Sequence, residues 1–195
     1  MGEAAGKDLY ERDFYAWTQD QAARLRALGG DSHFDVEHMA EEIEDLGKKD
    51  RRVFESFLVS GCQHLVQAAT SLADEANRKW LREVRNFLAQ ARRLRRDSPT
   101  LVNKINMTEI WSEAVREANG NLRIYADPEF PTDVASPFTL DSLLDETFDP
   151  EDGVEALTGG AFNGPGSGGA SDRERLAGAY REGRPTMGRA DNGDA

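Results

Sequence analysis

Hydrophobic residues recur at helical spacing in four successive segments of the chain. Apolar positions at i, i+3, i+4 and i+7 place their side chains on one face of an α-helix. No segment shows the sustained apolar–polar alternation of a half-buried strand, and no turn dipeptide joins β-branched runs. The pattern therefore predicts an all-α protein. The predicted helices cover residues 8–28, 36–72, 77–96 and 99–125.

The second predicted helix is much longer than the others and contains a glycine, Gly47, near its first third. Glycine is favoured where a helix ends, and Lys48-Lys49 after it suits a helix C-terminus. No turn sequence follows, so we predict a kink or break at Gly47 and not a full reversal. Short connections between the four main helices favour an antiparallel bundle.

Beyond residue 128 the composition changes twice. Thr139 is placed to cap a short helix that carries Leu140, Leu143 and Leu144, which we expect to dock on the bundle. From Glu151 onward the chain is rich in glycine and poor in large apolar residues, so it is predicted to be disordered. The predicted organisation is a disordered N-terminus (1–7), a helical-bundle domain (8–147) and a glycine-rich disordered tail (148–195).

Net charge, cysteine content and the length of apolar runs indicate the cellular compartment and the class of partner to expect. The formal net charge is −12, which repels phosphate backbones and lowers the expectation of nucleic-acid binding. A single cysteine, Cys62, excludes an intramolecular disulfide and is expected to be a small core residue. No signal peptide and no apolar run of membrane-spanning length is present, so a cytoplasmic protein without membrane contact is expected.

Residues 37–45 form a block dense in carboxylates within the second helix. If Met39, Ile43 and Leu46 define the direction of the core, helical geometry places Glu42 about 60° to one side of it. A carboxylate that points partly inward needs donors, because an unpaired buried charge costs several kcal/mol. We therefore predict that Glu42 is a structural anchor, paired with an arginine of the third helix.

An alternative interpretation makes Glu42, His38 and His64 ligands of a divalent metal ion, the only cofactor that the sequence suggests. Metal sites in helical bundles use Glu and His side chains from facing helices. The paired Glu-x-x-His motif of di-iron bundles is absent. Glu42 and His64 are 22 residues apart, or about 33 Å on one straight helix. They can meet within one chain only if the helix reverses at Gly47; otherwise a shared site needs a second subunit.

The third predicted helix is rich in arginine, and Glu83 is its only acid between Arg78 and Arg96. This composition is the basis of a third possibility, an accessory protein that touches nucleic acid. Trp80 and Phe87 lie on its apolar stripe, so they are expected in the core and not as stacking platforms. Electrostatic complementarity with the acidic block 37–45 is the simpler explanation of these arginines.

No catalytic motif is present: there is no phosphate-binding loop, no zinc-protease motif and no nucleophile elbow. The sequence therefore assigns no reaction and leans towards a protein that is not an enzyme. We predict a non-catalytic helical interaction or scaffold module, partnered by another protein or by a second copy of itself. Self-association is favoured because the long second helix offers a symmetric packing edge.

Several short segments carry a resemblance to a known family. They are Tyr10-Glu11, Asp13-Phe14-Tyr15-Ala16-Trp17, Ala40-Glu41-Glu42-Ile43-Glu44, Leu46-Gly47, His64-Leu65, Trp80, Ser98-Pro99-Thr100-Leu101 and Phe138-Thr139-Leu140. Over roughly residues 9–150 the chain resembles the bacterial "domain of unknown function twenty-nine" family. The resemblance implies an all-helical domain and no assigned activity.

The chain departs from that family's usual pattern at two places. His64 is followed by Leu65-Val66-Gln67-Ala68-Ala69, where the family has Leu-Leu-Lys-Trp-Gln. A polar Gln-Arg pair of the helix after Trp80 is replaced by apolar residues near Phe87-Leu88. If those polar groups formed a site in the family, this member has lost it.

Overall fold

The computed structural model of the chain describes residues 3–28, 34–71 and 74–161. These ranges contain helices and connecting segments but no strand, which confirms the predicted all-α class. The α-helices are α1 (Glu3–Arg12), α2 (Phe14–Ala27), α3 (Val36–Thr70), α4 (Asp74–Asp97), α5 (Met107–Ile124), α6 (Leu140–Leu143) and α7 (Pro150–Ala161), and a 3-10 helix (Pro99–Lys104) follows α4.

The long helix α3 forms the centre of the domain, and α2, α4, α5 and α7 all pack against it. Its second half is the most buried stretch among the described residues, because apolar residues there face neighbours on several sides. The fully buried side chains Phe54, Leu58 and Leu65 of α3 share one core with Val84 and Leu88 of α4. Four long helices, α2 to α5, thus form the bundle that the sequence predicts.

Helix α3 is continuous from Val36 to Thr70, so the break predicted at Gly47 is wrong. Gly47 instead lies where α3 packs closely against α2. A β-carbon built at Gly47 would lie 2.3 Å from Thr18 Oγ1 and 3.2 Å from Tyr15 Cδ2, both on α2. Because only a hydrogen occupies that space, α2 and α3 can approach each other closely at this point.

The first and fourth predicted helices are each divided in two. Asp13 separates α1 from α2 and caps α2, since its Oδ1 accepts from the Ala16 amide at 2.9 Å. Likewise Asn106 caps α5, so the segment from Pro99 to Lys104 remains a separate 3-10 helix. The apolar spacing continues through both junctions and so does not reveal them. Each junction is set by one capping side chain, Asp13 in the first case and Asn106 in the second.

The domain extends beyond both of its predicted limits. Residues 3–7 belong to α1, and Pro150–Ala161 forms α7, so the predicted disorder is wrong over these two stretches. Gly153 of α7 packs against α3, where an added β-carbon would lie 3.0 Å from Leu65 Cδ2. Leu143 of α6 is fully buried, as expected of a docking helix. The predicted tail from residue 162 lies outside the described residues.

Candidate functional site

The acidic block of α3 faces solvent. Ala40 and Gly47 are buried, whereas Met39 and Leu46, one position before each, are 46% and 49% exposed. The inward direction is therefore set by the small residues, which allow α2 to approach, and the prediction that Glu42 points partly inward is wrong. Within the described ranges the exposed Glu42 has no salt-bridge partner, so the predicted arginine anchor is also wrong.

The other charged groups of the block have partners close by. Arg26 of α2 donates to Glu44 at 2.9 Å, and this bond lowers the pKa of the Glu44 carboxyl. Lys48 donates to Asp45 at 2.9 Å, which lowers the pKa of Asp45 and raises that of Lys48. The block is thus bound to α2 and to the following turn of α3, and not to α4.

His38 lies at the exposed N-terminus of α3 and contacts a carboxylate there. Its Nδ1 is 2.6 Å from Oδ2 of Asp35, the N-cap residue, and this contact raises the pKa of His38. The same pairing lowers the pKa of Asp35. Glu42 is one helical turn further along, on the same exposed side of α3.

His64 is half-buried in the second half of α3 and is not near either of these residues. Its Nδ1 donates to the Ser60 carbonyl at 2.7 Å, and its ring packs against Phe87 with centroids 5.4 Å apart. Because α3 is continuous, Glu42 and His64 are separated by about 33 Å along it. The structure therefore does not bring the three predicted metal ligands together in one chain, and no other group of three His, Cys, Asp or Glu within the described ranges is suited to hold a metal.

A cavity of about 570 Å³ beside His64 is a feature that the sequence interpretation missed. One of its walls is Gln67, which is only 3% exposed, and the amide oxygen Oε1 of Gln67 has no hydrogen-bond partner in the described part of the molecule. The signal available in the sequence was the departure from the family pattern after His64, which includes Gln67. The cavity is lined by Gln63, His64, Gln67, Ser71, Ala76, Lys79, Trp80, Asn121, Tyr125 and Asp127.

Replacing Gln67 with leucine is expected to raise the free energy of unfolding by about 1 kcal/mol, because a buried unpaired acceptor is removed. Urea unfolding followed by circular dichroism measures the change. The control is Gln63→Leu, one turn earlier on the same cavity wall, which removes no such unpaired oxygen and should give no gain. A loss of stability in Gln67→Leu would contradict the prediction and would indicate that Oε1 is bonded in solution.

The arginines of α4 pair with the C-terminal segment of the domain. Arg85 contacts Asp149 and Glu151 at 3.2 and 3.4 Å, and Arg95 contacts Asp141 at 3.1 Å. The prediction that they complement the block 37–45 is therefore wrong. The charge of these arginines is compensated within the chain, which weakens the case for a phosphate-binding surface.

Arg92 fixes the same segment in a different way. Its guanidinium donates to three consecutive backbone carbonyls, those of Leu143, Leu144 and Asp145, at the end of α6. A helix of one turn leaves its last carbonyls without backbone donors of its own, and the planar guanidinium of Arg92 supplies donors to them. The Asp145 carbonyl also accepts from the Phe148 amide at 3.2 Å. The arginines of α4 thus hold α6 and the start of α7 onto the bundle.

Cys62 has no catalytic character. It is fully buried in the core on α3, and burial raises the pKa of its thiol to about 12. The thiolate needed for nucleophilic attack is therefore disfavoured, and the prediction of a core residue is confirmed.

Comparisons with known proteins agree with this helical architecture. A family model described as "Domain of unknown function DUF29" matches residues 9–149. A crystal structure of an alpha-helical protein of unknown function from Rhodospirillum rubrum is similar, with 30% sequence identity and a TM-score of 0.68. The match covers 76% of this chain and 96% of that one. No curated protein matches the chain. Among the described helices none has the length and apolar character needed to cross a membrane. The chain therefore belongs to the DUF29 family of all-helical domains of unknown function.

Proposed function

We propose that this protein is a non-catalytic helical interaction module that associates with itself through the exposed side of α3. One observation carries the proposal. Met39, Leu46 and Val53 follow one another at seven-residue intervals and are 46%, 49% and 37% exposed. This outer stripe, defined by those three residues, repeats every seven residues, as one of the two apolar positions of a helix–helix interface does.

The outer stripe is uncovered because α4 does not extend far enough to reach all of it. Ser98, which directly follows α4, accepts a hydrogen bond from the Tyr15 amide at 3.1 Å, and the Tyr15 ring lies beside Gly47 of α3. The end of α4 is therefore near Gly47, and the first part of α3, from Val36, continues past it. On this part of α3 the neighbouring helix is α2, which covers the side marked by Gly47.

Aromatic residues of α1 and α2 extend the exposed apolar surface. On α2, Tyr15 and Thr18 lie against Gly47, and Phe14 and Trp17 are the residues directly before them in the sequence. On α3, Leu46 is likewise the residue directly before Gly47. Because antiparallel helices turn in opposite senses when viewed from one end, the preceding positions on both helices face the same side. Tyr10, which is 50% exposed, packs on Trp17 with ring centroids 4.8 Å apart. Partly exposed aromatic residues on the same side as an exposed apolar stripe are typical of a protein–protein interaction site.

The test is the oligomeric state of the full chain, measured by sedimentation equilibrium. We expect a dimer at micromolar concentration, and Leu46→Lys should weaken its dissociation constant at least tenfold, because it places two charges in an apolar interface. Ile124→Lys is the matched control, since Ile124 is also exposed (75%) but lies at the end of α5. It should leave the dimer unchanged.

Two results would contradict the proposal. A wild-type chain that remains monomeric at about 100 μM would show that the outer stripe has no self-association of useful strength. A dimer that is equally strong in Leu46→Lys and in wild type would place the interface elsewhere. Circular dichroism of Leu46→Lys should show an unchanged helical content, because the side chain is half exposed in the single domain.

A further inference from the structure

We infer that two copies of the chain pair antiparallel along the outer stripe, about a twofold axis beside Leu46, with Glu42 of each copy facing Lys49 of the other. The inference rests on the proposed function and specifies the partner and its register. It also assigns a role to Glu42, which the structure leaves exposed and without a salt bridge among the described residues.

The apolar residues are arranged symmetrically about Leu46. Met39 and Val53 are each seven residues from it, and all three are exposed. An antiparallel pair centred on Leu46 sets that residue against its own copy and Met39 against Val53 of the second copy. Every apolar side chain of the outer stripe then meets another one, as an isologous interface requires. A parallel pair would also match apolar residues, so the orientation depends on charge.

The charges on α3 change sign on either side of the axis. Residues 37–45 contain five carboxylates and no lysine or arginine, whereas residues 48–52 contain four basic residues and one acid. Parallel pairing would set acid against acid and base against base along the interface. Antiparallel pairing sets the acidic half of each copy against the basic half of the other. Complementary charge therefore selects the antiparallel orientation.

Glu42 and Lys49 occupy equivalent positions beside the outer stripe. Glu42 is three residues after Met39, and Lys49 is three residues after Leu46. The twofold axis beside Leu46 places residue 42 level with residue 50 of the second copy. Lys49 of that copy is therefore offset from Glu42 by one residue, or about 1.5 Å along the helix axis. That offset is within the reach of two long side chains. The twofold axis generates this pair twice.

Both residues are available for such a contact. Glu42 and Lys49 are exposed and have no salt bridge within the part of the chain that the structure describes. Three other acids of the block are already paired inside the domain: Glu37 with Arg26, Glu44 with Arg26 and Lys48, and Asp45 with Lys48. The antiparallel pair thus brings together an acid and a base that have no salt bridge among the described residues. Glu41 and Arg52 share that property but lie on the opposite side of α3 from the outer stripe.

Charge reversal tests the register. Glu42→Lys alone, or Lys49→Glu alone, creates two like-charge contacts across the axis, and each should weaken the dimer about tenfold at 50 mM salt. The double variant Glu42→Lys/Lys49→Glu restores opposite charges and should return to within about threefold of wild type. Sedimentation equilibrium of the full chain measures all three, and the effects of the single reversals should shrink at 500 mM salt.

The control is Glu41→Lys, which makes the same change of charge at an exposed residue on the far side of the helix from the outer stripe. It should change the dissociation constant less than about twofold. Circular dichroism of each variant checks that the fold is retained.

The outcomes separate this inference from the proposed function. If Leu46→Lys dissociates the dimer but the double reversal is no stronger than the single ones, the register is wrong and the self-associating module stands. The same conclusion follows if the single reversals have no effect or if Glu41→Lys weakens the dimer equally. If the wild-type chain is monomeric, both the inference and the proposed function fail.

Discussion

Replacing Asp13 with alanine is expected to lower the free energy of unfolding by about 3 kcal/mol, which is among the largest losses for any single polar side chain of this domain. The carboxylate is only 7% exposed and accepts three hydrogen bonds. The donors are the Ala16 amide at 2.9 Å, the Thr100 amide at 2.9 Å and the Thr100 hydroxyl at 3.0 Å. Truncation removes the cap of α2 and leaves the Thr100 amide without an acceptor.

The effect is large because Asp13 connects two distant parts of the chain. It joins the α1–α2 junction to the 3-10 helix that follows α4, and the Tyr15 amide donates to Ser98 Oγ at 3.1 Å beside it. Two of the segments that carry the family resemblance, around Asp13 and around Ser98, are therefore one structural unit. Their chemistry is that of a buried junction, since both side chains are satisfied by contacts within the domain.

Urea unfolding with an unchanged m-value measures the loss at Asp13. Asp13→Asn should fall between wild type and Asp13→Ala, because its amide nitrogen cannot accept from Thr100. Asp8→Ala is the control, since Asp8 is an exposed acid paired with Arg12 on the surface of α1 and should contribute little. A loss at Asp13 no greater than that at Asp8 would refute the prediction.

Replacing Gly47 with alanine is expected to destabilise the domain by about 2 kcal/mol, although alanine is the better helix former. The added β-carbon would lie 2.3 Å from Thr18 Oγ1. Thr18 is fully buried and its hydroxyl donates to the Tyr15 carbonyl at 2.8 Å, so it cannot move aside freely. The cost of separating α2 from α3 therefore exceeds the gain of up to about 1 kcal/mol in helix propensity.

Thermal unfolding of Gly47→Ala should show a midpoint about 4–8 °C below that of wild type. The matched control is Gly120→Ala in α5, where an added β-carbon meets no atom within 4 Å, so that variant should be as stable as wild type or more stable. Adding Thr18→Ala to Gly47→Ala removes the clashing oxygen and should recover part of the loss. Equal stabilisation by both glycine substitutions would show that α2 and α3 are not in close contact at Gly47.

The number and placement of the main helices followed from apolar spacing, because a helix must bury one face whatever its neighbours are. The short helix with Leu143 followed from the same principle. Helix α7 did not, since its glycines are typical of a disordered segment. At Gly153 the missing side chain is what allows α7 to lie against Leu65, and this favourable contact exists only once α3 is in place.

The candidate site divides in the same way. From the sequence alone come the all-α class, the acidic block, the change of charge sign along α3 and the seven-residue spacing of its large apolar residues. Two series share that spacing, however: Met39–Leu46–Val53 and Ala40–Gly47–Phe54. Hydrophobicity favours the first series as the buried one, whereas the structure buries the second.

The tertiary structure decided which series faces the core, because burial depends on how closely another helix can approach and not on side-chain hydrophobicity alone. Ala40 and Gly47 allow the backbone of α2 to come near, and the gain from close packing outweighs the exposure of larger residues one position earlier. Periodicity thus determined that α3 has an apolar series every seven residues. Only the packing of α2 determined that the larger side chains face outward and that Glu42 lies beside them in solvent.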